Sequence, residues 1–368
     1  MTLPPATAPS LADQVAAILE QMPDPSGGAA TGLLEQELGR AFGVPHAVTV
    51  ASGTAALHSA LSACGIGPGD EVLVPALTVI MTVAPVAALG AKPVFVDSDP
   101  ATLDLDYDDA ARKITPRTQA VLPVHLWGRM GDPSALTGFA SGHGLTIIED
   151  AAQAAGSSRD GRKAGTIGAA GCFSMKDGKI LWSGEGGFLL TTRRELAEHA
   201  EAFRSHWQQP PPGQAPQSRL AVNARLAAPL AAIALANLHR FPELAGQRRE
   251  QTRSLLDALK PVPGLRELAP APDEQWNHFA PLLHIGLPHP REFAGHLARQ
   301  GVPNSTGSFG LVPCDTRPMF TAPDRAPCRG AAQILDSTLA VILTGRDTSQ
   351  ALDRFAAIIA REAGTWAA

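Results

Sequence analysis

Between about residues 40 and 200, short apolar runs alternate with helical segments, and this alternation leaves few folds open. Strand-like runs fall at 71–74, 92–97, 120–125, 145–150, 172–175 and 187–191, with helical patterns between them, as at 54–64 and 133–143. Repeated strand–helix–strand units form a largely parallel sheet covered by helices on both faces. Ligands of such sheets collect beyond the carboxyl ends of the strands. One stretch, 72–91, carries no charge and is long enough to span a bilayer. Pro75, Thr78, Thr82, Pro85 and Gly90 interrupt it, and only Lys92 offers a positive flank. It therefore reads as buried strand, loop, helix and strand.

The pattern changes at 208–217, a polar, proline-rich loop reading QQPPPGQAPQ. An Ala/Leu-rich helix is expected at 223–241 and a helix with a charged face at 244–259. Beyond 261 the pattern is mixed, with a strand at 279–285, a helix at 290–300 and a last helix at 349–363. The chain is expected to divide into a large α/β domain, residues 1–240 with an N-terminal arm, and a smaller C-terminal α+β domain, residues 241–368. Of the 368 residues 45% are apolar and 18% charged, enough to build a core and too apolar for disorder. A net charge of −5 with no basic block argues against a nucleic-acid partner. The four cysteines show no metal-ligand spacing, so no metal site is expected, and reduced thiols in the cytoplasm are the default. The start, Met1-Thr2-Leu3-Pro4-Pro5, lacks the pattern of a signal peptide.

Four local patterns carry chemistry. Ser52-Gly53-Thr54 follows an apolar run and opens a helix, where small residues expose backbone N–H groups to an anion; an ordinary N-cap reads the same way. A buried strand ends in Glu149-Asp150, followed by Ala151-Ala152-Gln153. Asp150 stands where ligands bind or where a helix is capped, and Glu149 points to the other face of the pleat. Phe173-Ser174-Met175 leads into Lys176-Asp177-Gly178-Lys179. Lys179, beside Ile180, Leu181 and Trp182, is placed for desolvation and nucleophilicity, whereas Lys176 reads as solvated. Finally, Asn223 and Arg225 open the Ala-rich helix. A phosphate cradle, a strand-end aspartate and a later lysine together suit pyridoxal phosphate (PLP), whose ring acts as an electron sink when its nitrogen stays protonated.

In these motifs the chain resembles the DegT/DnrJ/EryC1/StrS family of PLP-dependent aminotransferases. They read ASGTAAL at 51–57, KPVFVD at 92–97, PVHLWG at 123–128, EDAAQAAG at 149–156 and GCFSMKDGKILWSGEGG at 171–187. The resemblance implies a fold type I, aspartate-aminotransferase-like large domain and a small C-terminal domain. It implies that Lys179, five residues after Ser174 and six before Glu185, is the Schiff-base lysine; family dehydratases carry histidine there. It further implies that Gly53, Thr54 and Ser174 bind the phosphate, that Asp150 pairs with the pyridine nitrogen, and that Gln153 binds the ring hydroxyl. Asn223 matches an Asn-Tyr-Arg element, here Asn-Ala-Arg, that reaches the phosphate of the neighbouring subunit, so a homodimer with a shared site is implied.

Two departures bear on substrate. The family places an aromatic ring over the cofactor directly after Pro-x-x-Thr, where this chain has Val79. The segment before the lysine reads Ser-Met-Lys-Asp-Gly rather than the Ser-Phe-His-Pro of nucleotide-sugar enzymes, closer to the cyclitol and aminohydroxybenzoate branch. The implied reaction moves an amino group from glutamate or glutamine to a ketone on a cyclitol or sugar, in antibiotic or other secondary metabolism. The alternatives are a nucleotide-linked keto-sugar aminotransferase, an aminohydroxybenzoate-synthase-like dehydratase, and a regulatory protein that keeps the fold without turnover.

Overall fold

A computed structural model describes residues 9–20, 28–320 and 326–366. The first five residues, read above as lacking a leader, lie outside the described residues. The chain runs through α1 (Leu11–Glu20), α2 (Gly28–Phe42), β1 (His46–Val50), α3 (Gly53–Ala63), β2 (Glu71–Pro75), α4 (Ile80–Ala88) and β3 (Lys92–Val96). It continues with α5 (Tyr107–Lys113), β4 (Thr118–Val121), α6 (Pro133–His143), β5 (Thr146–Asp150), a small hairpin of β6 (Ser158–Arg159) and β7 (Arg162–Lys163), β8 (Ala170–Ser174) and β9 (Gly187–Thr191). Then come α7 (Arg194–Arg204), α8 (Ala228–His239), α9 (Phe241–Leu259), β10 (Leu265–Glu267), β11 (Glu274–Gln275) and β12 (Leu282–Ile285). The described chain closes with α10 (Pro290–Arg299), α11 (Arg329–Ser337), β13 (Thr338–Ala340) and α12 (Ser349–Trp366).

Seven strands form the main sheet in the order β1-β9-β8-β5-β4-β2-β3. Strands β3, β2, β4, β5 and β8 pair in parallel, and only β9 runs against its neighbours, so six of the seven share one direction. Helical crossovers require this parallel geometry, and both faces of the sheet are accordingly apolar. The uncharged stretch resolves into β2 and α4, and no helix of the described residues is long and apolar enough to cross a membrane.

The expected helix opening at Asn223 begins instead at Ala228. Residues before it are held extended, with Asn223 bridged to Ser205 and the Ala51 N–H donating to the Ala224 carbonyl at 2.7 Å. Pro229, in the first turn, then starts the helix.

A three-stranded sheet, β10-β12-β13, lies within the C-terminal third. Its Leu282 and Ala340, with Leu335 of α11, belong to the same apolar cluster as Val72, Ile148 and Leu189 of the main sheet. The two parts also meet through Asp97, at the end of β3. Its carboxylate accepts from the Gly330 N–H at 2.9 Å and the Ala331 N–H at 2.8 Å, capping α11 from another element. A Cβ on Gly330 would lie 2.0 Å from the Ser98 carbonyl, so only glycine admits this approach. Asp97→Ala removes that cap and is expected to destabilise the protein by about 1–2 kcal/mol in chemical denaturation.

Candidate active site

The parallel order brings the strand ends together. Asp150 ends β5, Ser174 ends the adjacent β8, and Ser174 pairs with Gly187 at the start of the reversed β9. Beyond β1, α3 begins at Gly53. Its Ser52 cap accepts from the Ala55 N–H through Oγ and from the Ala56 N–H through its carbonyl. The Gly53 and Thr54 N–H groups find no acceptor among the described residues and point, with the helix dipole, out of the helix start. A Cβ on Gly53 would sit 2.9 Å from the Ser174 Cβ, and one on Gly187 would sit 2.5 Å from the Ser52 carbonyl. The glycines thus keep open the ring of Ser52, Gly53, Thr54 and Ser174. Ser174 Oγ accepts from the Lys176 N–H at 3.3 Å and keeps its own hydrogen to donate.

Asp150 is buried. Thr82 Oγ1 donates to its Oδ2 at 2.7 Å and the Ala152 N–H to its Oδ1 at 3.1 Å. Its main chain bonds the turn of 123–125, with its N–H to the Pro123 carbonyl and the His125 N–H to its own carbonyl. Burial pushes its carboxyl pKa up, against the Thr82 and Ala152 hydrogen bonds and the charges of Lys179 and His125, which pull it down. Ala152 follows as a turn, so Asp150 caps no helix.

Lys179 sits in a loop pinned at its mouth. The Met175 N–H donates to the Gly186 carbonyl, that of Asp177 to Gly184 and that of Ser183 to Met175, each at 2.8 Å. Gly178 and Gly184, at φ +87° and +93°, supply the turns. The residue is half-buried, but its ammonium lies inward, 4.9 Å from the centre of the Phe279 ring. Burial lowers its pKa to about 8; Asp150 raises it, while Lys176 and Arg248 lower it. Lys176 is exposed, as expected.

Gln153 follows Asp150, and its Oε1 accepts from the Trp127 N–H at 2.6 Å, leaving the amide NH₂ as a donor. Asn277 Nδ2 donates to the Gln153 carbonyl at 2.8 Å, fastening the C-terminal segment to this turn. Asn223 lies apart on the surface, beside Ala51 through the neighbouring Ala224 bond. Of the polar residues near the sequence motifs, His206 is exposed, and Ser305 Oγ accepts from Trp127 Nε1 at 2.9 Å. His278 packs tilted against Trp276, and burial with Arg249 and Arg253 lowers its pKa to about 4.

The pleat placed Glu149 correctly, but its partners and several other groups around the site escaped sequence reasoning. Glu149 faces away from Asp150, as the pleat requires, and accepts from His125 Nε2 at 2.9 Å and from the Gly165, Ile167 and Gly168 N–H groups. Arg248, buried in α9, donates to the Phe279 carbonyl at 3.0 Å and so seats the ring that lies against Lys179. No local pattern announces Arg248 or Phe279. Nor does any local pattern announce that Thr78 and Thr82, on either side of the Val79 cap, meet in front of Asp150.

The geometry suits an anion at the start of α3 and a protonated ring nitrogen at Asp150, with an amine of lowered pKa at Lys179. The chain matches the profile of the DegT/DnrJ/EryC1/StrS aminotransferase family over residues 8–359. The chain belongs to that family. It is 33% identical over 290 residues to a pleiotropic regulatory protein of Geobacillus stearothermophilus, covering 78% of this chain and 77% of that one. It is 40% identical over 239 residues to the L-glutamine:2-deoxy-scyllo-inosose aminotransferase of Streptoalloteichus tenebrarius, covering 62% of this chain and 56% of that protein. The S. venezuelae DesV crystal structure superposes with a TM-score of 0.85 at 31% identity, over 96% of this chain and 94% of DesV. The chain thus matches little more than half the length of the curated aminotransferase and nearly all of DesV. Its α/β architecture is that of the family's PLP-dependent aminotransferases, fold type I.

The desolvated lysine makes a direct test. In the cofactor-free protein, trinitrophenylation of Lys179, followed by peptide mapping, is expected to show a midpoint near pH 8. The amine is free and reactive above that pH and protonated below it. A midpoint above 10 would show that the ammonium is solvated.

Proposed function

We propose that the chain is a PLP-dependent aminotransferase that moves the amino group of glutamate or glutamine onto a ketone of a cyclitol or sugar. The observation that carries this reading is Lys179: an inward, desolvated amine whose acidic neighbour is the strand-end Asp150. The name of the Streptoalloteichus relative supports a cyclitol acceptor and glutamine as donor. Secondary metabolism in the cytoplasm is the setting we propose.

When bound, PLP supplies an electron sink for the carbanion formed at the substrate carbon. Everything else falls to this chain. Lys179 would attach the cofactor covalently and, once displaced by the amino donor, would take the proton from the donor's α-carbon and return it to the cofactor's carbon. A pKa near 8 suits both directions of that transfer. Asp150 would hold the ring nitrogen protonated. Gly53 and Thr54 N–H groups with the Thr54 and Ser174 hydroxyls would bind the phosphate, and the free Gln153 NH₂ would donate to the ring hydroxyl. Val79, half-buried at the cap of α4, carries no ring to stack there.

We further propose a homodimer in which exposed Asn223 donates to the phosphate bound by its partner. A division at 240/241 accompanies it, supported by the turn between α8 and α9. A second reading, a regulatory protein, draws support from the name of the Geobacillus relative. Against it, the lysine, aspartate and glutamine are all retained here.

A spectrum separates the two: a visible absorbance band that bleaches with glutamate or glutamine and returns with a keto acceptor marks the enzyme, and a band unmoved by either marks the regulator. Lys179→Ala is expected to abolish borohydride-fixed cofactor and to lower turnover about a thousandfold or more, whereas Lys176→Ala keeps both. Asn223→Ala is expected to weaken PLP retention, with apo-protein dissociating at higher concentration than holo-protein in sedimentation. Identical dissociation of both forms would exclude a shared site.

A further inference from the structure

Thr78, Thr82 and Asp150 form a buried hydrogen-bonded line. Thr78 Oγ1 and Thr82 Oγ1 are 2.7 Å apart, and Thr82 Oγ1 is 2.7 Å from Asp150 Oδ2. Both threonine side chains are fully buried, and Asp150 is 4% exposed. An ionised carboxylate only accepts, so Thr82 donates to it; the Thr82 oxygen is then free to accept, and Thr78 donates to Thr82. Both hydroxyl dipoles therefore point at the carboxylate.

We infer that Thr82, backed by Thr78, is a positioning residue for the cofactor: its hydroxyl fixes the Asp150 carboxylate, ionised and in one orientation, for the pyridine nitrogen. This rests on the reading above that Asp150 meets that nitrogen.

The line is built into the fold. Thr82 lies in the first turn of α4 and Thr78 in the segment before its extended Val79 cap, and the turn into the helix brings the two hydroxyls together. The Thr78 carbonyl accepts from Cys314 Sγ at 3.2 Å, and the Ala76 carbonyl from the Cys314 N–H at 2.8 Å, which ties this turn to the C-terminal segment. The other groups around Asp150 are the Ala152 N–H from the following turn, Lys179 as its positive neighbour, the His125 imidazole, which bonds Glu149, and the Cys172 thiol of β8; Glu149 points to the opposite face. Of these, Lys179 must move during turnover. A hydroxyl does not titrate, so Thr82 stabilises the anion at every stage and does not compete for its proton.

The test compares Thr82→Val, Thr82→Ser and Thr78→Val with Asp150→Asn. Two readouts are taken: the titration of the Asp150 carboxyl in apo-protein by selective ¹³Cγ-aspartate NMR, and PLP affinity by fluorescence quenching. Thr82→Val is expected to raise the Asp150 titration midpoint and to weaken PLP binding by about tenfold or more, the scale of losing a hydrogen bond to a charged group. Thr82→Ser is expected to restore both. Thr78→Val should shift both in the same direction by less, which keeps the inference testable if Thr82→Val folds poorly. An unchanged carboxyl titration in both valine variants overturns the role of the hydroxyls and leaves the Asp150 reading standing. Unchanged PLP affinity in Asp150→Asn overturns both.

Discussion

A carboxylate buried at the end of a parallel strand sets the terms for everything around it. Moving such an ion out of water costs roughly several kcal/mol even after relaxation, so it survives only where donors and an opposite charge are in place. Asp150 meets that requirement with Thr82, the Ala152 N–H and Lys179. Each comes from a different element: α4, the turn after β5, and the loop between β8 and β9. Holding the carboxylate therefore means holding all three in register.

The neighbouring residue solves the same problem by other means. Glu149 alternates to the far face and is satisfied by three backbone N–H groups and His125, locking the 165–168 loop to the sheet. One acid thus secures the scaffold while the next faces the site. This division follows from the pleat, since adjacent strand residues cannot share a face.

The C-terminal segment completes the site from above. Arg248 of α9 seats Phe279 against Lys179, Asn277 fastens the Gln153 turn, and Cys314 braces the turn that carries Thr78. Asp97 anchors α11 in return. The desolvation of the lysine, and with it the lowered pKa, depends on this covering, because the lysine's own loop is partly exposed.

Periodicity sufficed for most of the sheet: five of the six strand-like runs from 71 to 191 and the helices at 53–63 and 133–143 lie within two residues of their expected positions, whereas the run at 120–125 ends four residues early as β4, and β1 read only as an apolar run. Local patterns likewise marked Asp150, at a strand end, and Lys179, in an apolar-flanked loop, as candidates, since alternation and local spacing are properties of contiguous residues. Asn223 did not follow that logic. Its segment is drawn out by pairing with Ser205 and Ala51, partners distant in sequence, so a helix predicted locally starts five residues later. Arg248, Phe279 and the Thr78–Thr82 line were invisible for the same reason. A residue's local sequence determines its backbone tendency and its face; only the folded chain decides which distant group that face meets, and here those meetings set the lysine's basicity and the aspartate's charge.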